Sequence, residues 1–276
     1  MNRLIVLLDF SPYTPTLIRL ASGWKETFNV DLIFIHKMDG LAPTLSNKKG
    51  SDKFIAFNKN EARETFLRYC DESGLSLNSN EVQFEAISSQ LTHFLDGFLL
   101  KDDVLLLGLK GTGFLKKLLI GSTATTLINQ LNQTIITIPQ SIDNAFPKKL
   151  IVPCQEKFPI NQNALESLLV TIGGEVQKIE LLTIVDGQTE LEKGRKYLEK
   201  VKANLDERYD CKISIYENTN AFEAIKNRLI QNPDYFILLQ KGSRHLKDKL
   251  FRRFFIDELV HEGKSPLIIL PLSDEG

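Results

Sequence analysis

Apolar positions along the 276-residue chain follow two rhythms that alternate. Residues 4–8 form an unbroken apolar run that closes on Asp9, and over 14–28 the residues Leu17, Leu20, Ala21, Trp24 and Phe28 recur at helical spacing. A short continuous run reads as a strand buried on both faces, and a period of three to four residues reads as an amphipathic helix. The same reading predicts a strand at 32–35 and, after the polar stretch 40–52, a long helix over 54–70. Strands at 82–87, 104–107 and 135–138 then alternate with helices over 91–100 and 121–131. The order is βαβαβαβαβ, which calls for a parallel sheet covered by helices on both faces. The polar stretch 40–52 is read either as a lid or as a flexible connection.

After Pro139 comes a polar segment, 140–148, the expected linker, and then the pattern begins again. Strands are predicted at 150–152, 179–185, 213–216, 236–239 and 267–270, with helices over 164–170, 191–205, 221–230 and 254–260. The halves align without gaps around the fourth strand: DVLLLGLKGTGFLKK from Asp103 lies on DYFILLQKGSRHLKD from Asp234. Asp103 matches Asp234, Lys110 matches Lys241, Gly111 matches Gly242, Leu115 matches Leu246 and Lys116 matches Lys247. An internal repeat of about 130 residues follows. The expected fold is α/β, with two tandem open parallel-sheet domains of Rossmann-like type over 1–140 and 141–276.

Composition narrows the class. The 42% hydrophobic and 25% charged content is that of a soluble globular chain, and a net charge of -1 leaves no basic footprint for nucleic acid. Cys70, Cys154 and Cys211 lack metal-ligand spacing, and their odd number does not suit a disulfide framework, so a cytoplasmic location is expected. The opening apolar run is too short for a signal segment or a membrane span. Of the four histidines, His36 ends a strand, and His93, His245 and His261 fall on separate elements. No metal centre of the protein's own is expected.

The candidate chemistry gathers after the fourth strand, where Gly108-Leu-Lys110-Gly111 precedes Gly121-Ser122-Thr123 at a helix start. Glycines let backbone N–H groups approach a phosphate, and a helix N-terminus adds unpaired donors and partial positive charge. Ser122 and Thr123 can add hydroxyl donors. Asp9, at the end of the first strand, should face the same crevice. The loop is neither a GxxxxGK[ST] Walker loop nor a GxGxxG fingerprint following a first strand. The bland readings are a tight turn for the glycines and helix capping for Asp9 and Ser11.

The spacing G-x2-G-x9-G-[ST] after a fourth strand, with RLIVLLDFS at the start and IFIHKMD at the second strand, resembles the ATP-binding branch of the universal stress protein family. The resemblance covers nearly the whole chain as a tandem pair and implies an adenine-nucleotide α-hydrolase-like fold. By matching positions it implies that Asp9, Ser11, Lys37, Gly108, Gly111, Gly121 and Ser122 hold ATP or another adenine nucleotide, with or without magnesium. Lys110 stands where that family commonly has His, and Lys37 where it has a small apolar residue; Lys110 would add a cation near the phosphates. The resemblance also implies that the last strand of each half, 135–138 and 267–270, forms a seam. Whether two chains associate further, and with which protein partner, stays open.

In the second half Leu239 replaces the first glycine, Arg252 the third and Arg253 the serine, so nucleotide is expected in the first half alone. Lys241, Arg244, Lys247, Arg252 and Arg253 form a candidate anion cluster there. The expected function is a nucleotide-binding regulatory or stress-response module. A slow ATP-hydrolysing enzyme and a ligand-free scaffold are the alternatives. Neither nucleic acid nor a membrane is an expected partner.

Overall fold

The structure is a computed structural model that describes residues 3–38, 48–74, 83–109, 122–140, 142, 145–185, 188–205, 207–217, 234–242 and 265–273. The first half contains β1 (Arg3–Leu8), α1 (Thr14–Phe28), β2 (Asp31–Lys37), α2 (Lys48–Glu72), β3 (Gln83–Ile87), α3 (Leu91–Phe98), β4 (Val104–Leu109), α4 (Ser122–Gln130) and β5 (Thr134–Pro139). The rest contains β6 (Lys149–Pro153), α5 (Gln162–Ile172), β7 (Lys178–Val185), α6 (Gln188–Ala203), β8 (Asp210–Glu217), β9 (Tyr235–Gln240) and β10 (Leu267–Leu270). The helices expected over 221–230 and 254–260 lie outside the described residues. Among the described residues no helix is long and apolar enough to cross a membrane.

The strands form one sheet in the order β3-β2-β1-β4-β5-β10-β9-β6-β7-β8. All neighbouring pairs are parallel except β5 with β10, which run antiparallel with Leu267 opposite Thr137 and Ile269 opposite Ile135. The two strands named for a seam thus lie side by side. The α/β class and the open, mostly parallel sheet are those expected from the apolar runs.

Alternation along each strand divides the core. Leu4, Val6, Leu8, Phe34 and Leu106 face α1 and α2, while Ile5, Ile35, Leu105 and Leu107 face α3 and α4. On the first face the core runs on past the seam: Trp24 is fully buried, its ring lies 6.1 Å from that of Phe236, and its Nε1 donates to the carbonyl of Ala145 at 2.9 Å. The segment expected as a linker is therefore packed in part, with Ile142 and Ala145 in the core.

Other departures concern ends. α2 begins at Lys48, six residues before its first apolar position, so part of the polar stretch 40–52 is helical and only 39–47 falls outside the described residues. Apolar periodicity marks where a helix docks, and polar turns beyond that point stay helical without leaving a signal. α3 ends at Phe98 because Leu100 turns its N–H onto the carboxylate of Asp103, at 2.7 Å.

Candidate functional site

Parallel strands end together. Leu8 pairs with His36, and Leu7 with Leu107, so the residues after β1, β2 and β4 emerge along one edge of the sheet. The chain leaves β1 toward β2 on one side, and β4 lies on the other, so the two departing loops part and open a crevice. A cleft of about 590 Å³ lies there, within the roughly 300–1,000 Å³ usual for small-molecule sites. Leu7, Ile35, Leu91, Leu107 and Ala124 supply apolar walls, and Asp9, Ser11, His36, Lys37 and Thr123 supply polar groups.

The β1–α1 turn is built by its own polar side chains. Asp9 Oδ1 accepts the Ser11 N–H at 3.1 Å, Ser11 Oγ accepts the Tyr13 N–H at 3.4 Å, and the Thr14 N–H reaches the Ser11 carbonyl at 2.9 Å. These bonds shape the turn ahead of α1 and do not cap the helix itself, whose N-cap position is Tyr13; Asp9 and Ser11 both line the cleft. Between them Phe10 adopts φ 53°, a left-handed conformation uncommon outside glycine. Its carbonyl accepts the hydroxyl of Tyr69 at 2.8 Å, and its ring stacks on His36 with centroids 3.8 Å apart. His36 Nδ1 lies 3.0 Å from the Leu8 carbonyl. Since a carbonyl only accepts, Nδ1 carries the proton.

Gly108 lines the cleft, and the space beside its Cα is taken by protein. A Cβ there would stand 2.6 Å from Cδ1 and Cε1 of Tyr13, whose hydroxyl donates to the Pro139 carbonyl at 3.1 Å. Nothing local in the sequence links Tyr13 to a glycine 95 positions away, so its part in the cleft has no signal there. Thr123 and Lys37 both line the cleft as well. Lys110, Gly111 and Gly121 lie outside the described residues, and Ser122 is described only as the first residue of α4.

At the ends of β6 and β9, the matching place in the second half, the described side chains are turned to protein partners. Leu239, in the register of Gly108, is buried. Gln240 accepts the Asn161 N–H at 2.8 Å and donates to the Pro271 carbonyl at 2.9 Å. Lys241, proposed from sequence for an anion cluster, is buried and donates from Nζ to the carbonyls of Leu131 at 3.0 Å and Asn129 at 3.3 Å. That membership is corrected: its ammonium sits on a helix C-terminus. Arg244, Lys247, Arg252 and Arg253 lie outside the described residues.

Cys154 at the end of β6 is buried, and desolvation raises its thiol pKa strongly, with Cys211 adding. A thiol so held is inert. Among the described residues no three His, Cys, Asp or Glu side chains converge as metal ligands.

No family model matches this chain, and no curated protein matches its sequence. Solved structures do match. A universal stress protein from Archaeoglobus fulgidus DSM 4304 superposes with a TM-score of 0.64 at 12% identity, over 98% of both chains. A putative universal stress protein from Pseudomonas aeruginosa UCBPP-PA14 gives 0.59 at 10% identity, over 99% of this chain and 94% of that one. A protein of unknown function from Pseudomonas aeruginosa PAO1 gives 0.60 at 10% identity, with the same coverage. At such identities the likeness establishes a shared fold.

Proposed function

We propose that this chain is a universal stress protein-like regulatory module that binds ATP or a related adenine nucleotide at the cleft of its first half. Its halves, 1–140 and 141–276, are then two tandem domains of one ancestry. The observation that carries this reading is the cleft between the ends of β1 and β4, with the first turn of α4 at its rim. The described residues fit such a ligand. Apolar walls suit a base and sugar, Asp9 supplies an acceptor, and Lys37, Thr123 and the amides opening α4 suit phosphate. Because the Cα side of Gly108 is occupied by Tyr13, the fit rests on those other groups. The nucleotide would supply charge and a phosphoryl group that a partner could sense.

Binding is favoured over turnover by the described lining, which holds a single carboxylate and no guanidinium, whereas rapid phosphoryl transfer needs positioned charge and an oriented nucleophile. In the second half the counterparts of Gly108 and Lys110 are a buried leucine and a lysine whose ammonium is engaged by carbonyls, which supports occupancy in the first half alone. Free thiols at Cys70, Cys154 and Cys211 suit the reducing cytoplasm.

Mass spectrometry of freshly purified, denatured protein should release an adenine nucleotide, and added ATP should raise the unfolding temperature. In Asp9→Asn the Asx turn survives and the charge is lost, so ATP affinity should fall about tenfold with little change in stability. No nucleotide in the preparation and no thermal shift at millimolar ATP would overturn the reading.

A further inference from the structure

The cleft and the second half of the chain grip opposite ends of one short helix. α4 presents Thr123 and Ala124 to the cleft at its N-terminal end. At its other end Lys241 Nζ donates to the carbonyls of Asn129 and Leu131. Those carbonyls have no later N–H within the helix and carry its partial negative charge, which makes them natural partners for a buried ammonium. The lysine's backbone is held too, its N–H bonded to the Leu270 carbonyl at 3.1 Å.

A second tie lies beside the first. Leu272 N–H donates to Asn132 Oδ1 at 2.8 Å, and Asn132 Nδ2 returns a bond to the Leu272 carbonyl at 3.3 Å. Leu272 is in turn bonded by Asn161, whose Oδ1 caps α5 through the Ala164 N–H at 3.1 Å. The last turn of α4 is therefore fastened to the ends of β9 and β10, and through Asn161 to α5.

α4 has nine residues, a length at which a helix holds its geometry through tertiary anchors and not by intrinsic propensity. At 1.5 Å per residue, Lys241 acts about 9–12 Å from the cleft rim. We infer that Lys241 is a positioning residue for the cleft: from the second half it holds α4, and thereby Thr123 and the helix-start amides, in the geometry that receives an anionic ligand. Lys241 stands in the register of Lys110, so the loop lysine of the second half has become a support for the first. The identity of the ligand rests on the nucleotide reading; the positioning of α4 does not.

Full-length Lys241→Met and Lys241→Arg separate the possibilities, with ATP as the probe. Titration well below the unfolding temperature should show ATP bound about fivefold more weakly by K241M, and near wild-type affinity in K241R, which keeps a cationic donor. Without any ligand, exchange of the amides of 126–128, which bond the carbonyls of the first turn of α4, should be faster in K241M than in the wild type. A K241M protein with a lowered unfolding temperature but unchanged ATP affinity and unchanged exchange at 126–128 would reduce Lys241 to a local helix cap and overturn the inference. Should the wild type bind no ATP, the nucleotide reading fails, and exchange at 126–128 decides alone: faster exchange in K241M sustains the positioning role, and unchanged exchange ends it. Should K241M not fold, Asn132→Ala loosens the same helix end, and ATP affinity and exchange at 126–128 in that variant decide in the same way.

Discussion

Gly108 shows how one residue can answer two demands. A glycine at the end of a fourth strand invites a phosphate reading, yet its missing side chain is already required by the Tyr13 ring. Adding a methyl group there must displace that ring and strain its hydrogen bond to Pro139, an overpacking penalty of about 2 kcal/mol. Gly108→Ala should therefore lower the urea midpoint even in ligand-free protein. In a Tyr13→Ala background the obstruction is gone, and the further cost of Gly108→Ala should fall below about 1 kcal/mol. Equal penalties in both backgrounds would show that the ring is not what excludes a side chain. Phe10 makes a related point, since its left-handed backbone is held by Tyr69 and His36, residues of other elements that no local pattern connects to it.

The elements themselves are fastened at their starts by a device that recurs in unequal strength. Asp103, just before β4, receives Nε of Arg3 at 2.9 Å and also pairs with the Arg3 terminal nitrogen; the same carboxylate takes the Leu100 N–H. Asp234, its counterpart before β9, takes Lys148 Nζ at 2.8 Å. The shared aspartate of the sequence register is thus structural in both halves. Asp103 is 3% exposed, whereas Lys148 and Asp234 are 49% and 31% exposed. Asp103→Ala strands a half-buried guanidinium and a backbone donor, and should destabilise by about 3 kcal/mol in urea unfolding. Lys148→Ala removes a pair that water already screens, and should leave the midpoint nearly unchanged. A larger loss from Lys148→Ala than from Asp103→Ala would reverse this account of burial.

At the scale of the whole molecule, one sheet with an apolar core on each face joins the halves, and its buried ionisable groups make stability depend on alkaline pH. Burial pushes the Cys70 thiol from 9.0 up to about 12, with Asp71 adding, and lifts the Tyr197 hydroxyl from 10.0 to about 12. The folded chain keeps these protons where the unfolded chain has released them. Their contribution is therefore fully present below about pH 9 and is lost as the pH rises through about 12. Urea midpoints measured at half-unit steps from pH 8 to pH 11 should fall beyond pH 9, and the decline should be shallower in Cys70→Ala. A flat profile, or one that Cys70→Ala leaves unaltered, would contradict the assignment.

Much of this architecture is written in local pattern. The period of apolar residues marks each described strand and helix, and the register of 104–109 on 235–240 is visible because the two segments share residues at one spacing. That Asp9 and Thr123 come to one crevice was legible because strand ends and helix starts have signatures in the chain. The Tyr13–Gly108 contact, the burial of Lys241 and the packing of 142 and 145 were not legible. Each depends on which distant surfaces meet once the sheet has formed, and a lysine reads the same in sequence whether it faces water, a phosphate or the end of a helix.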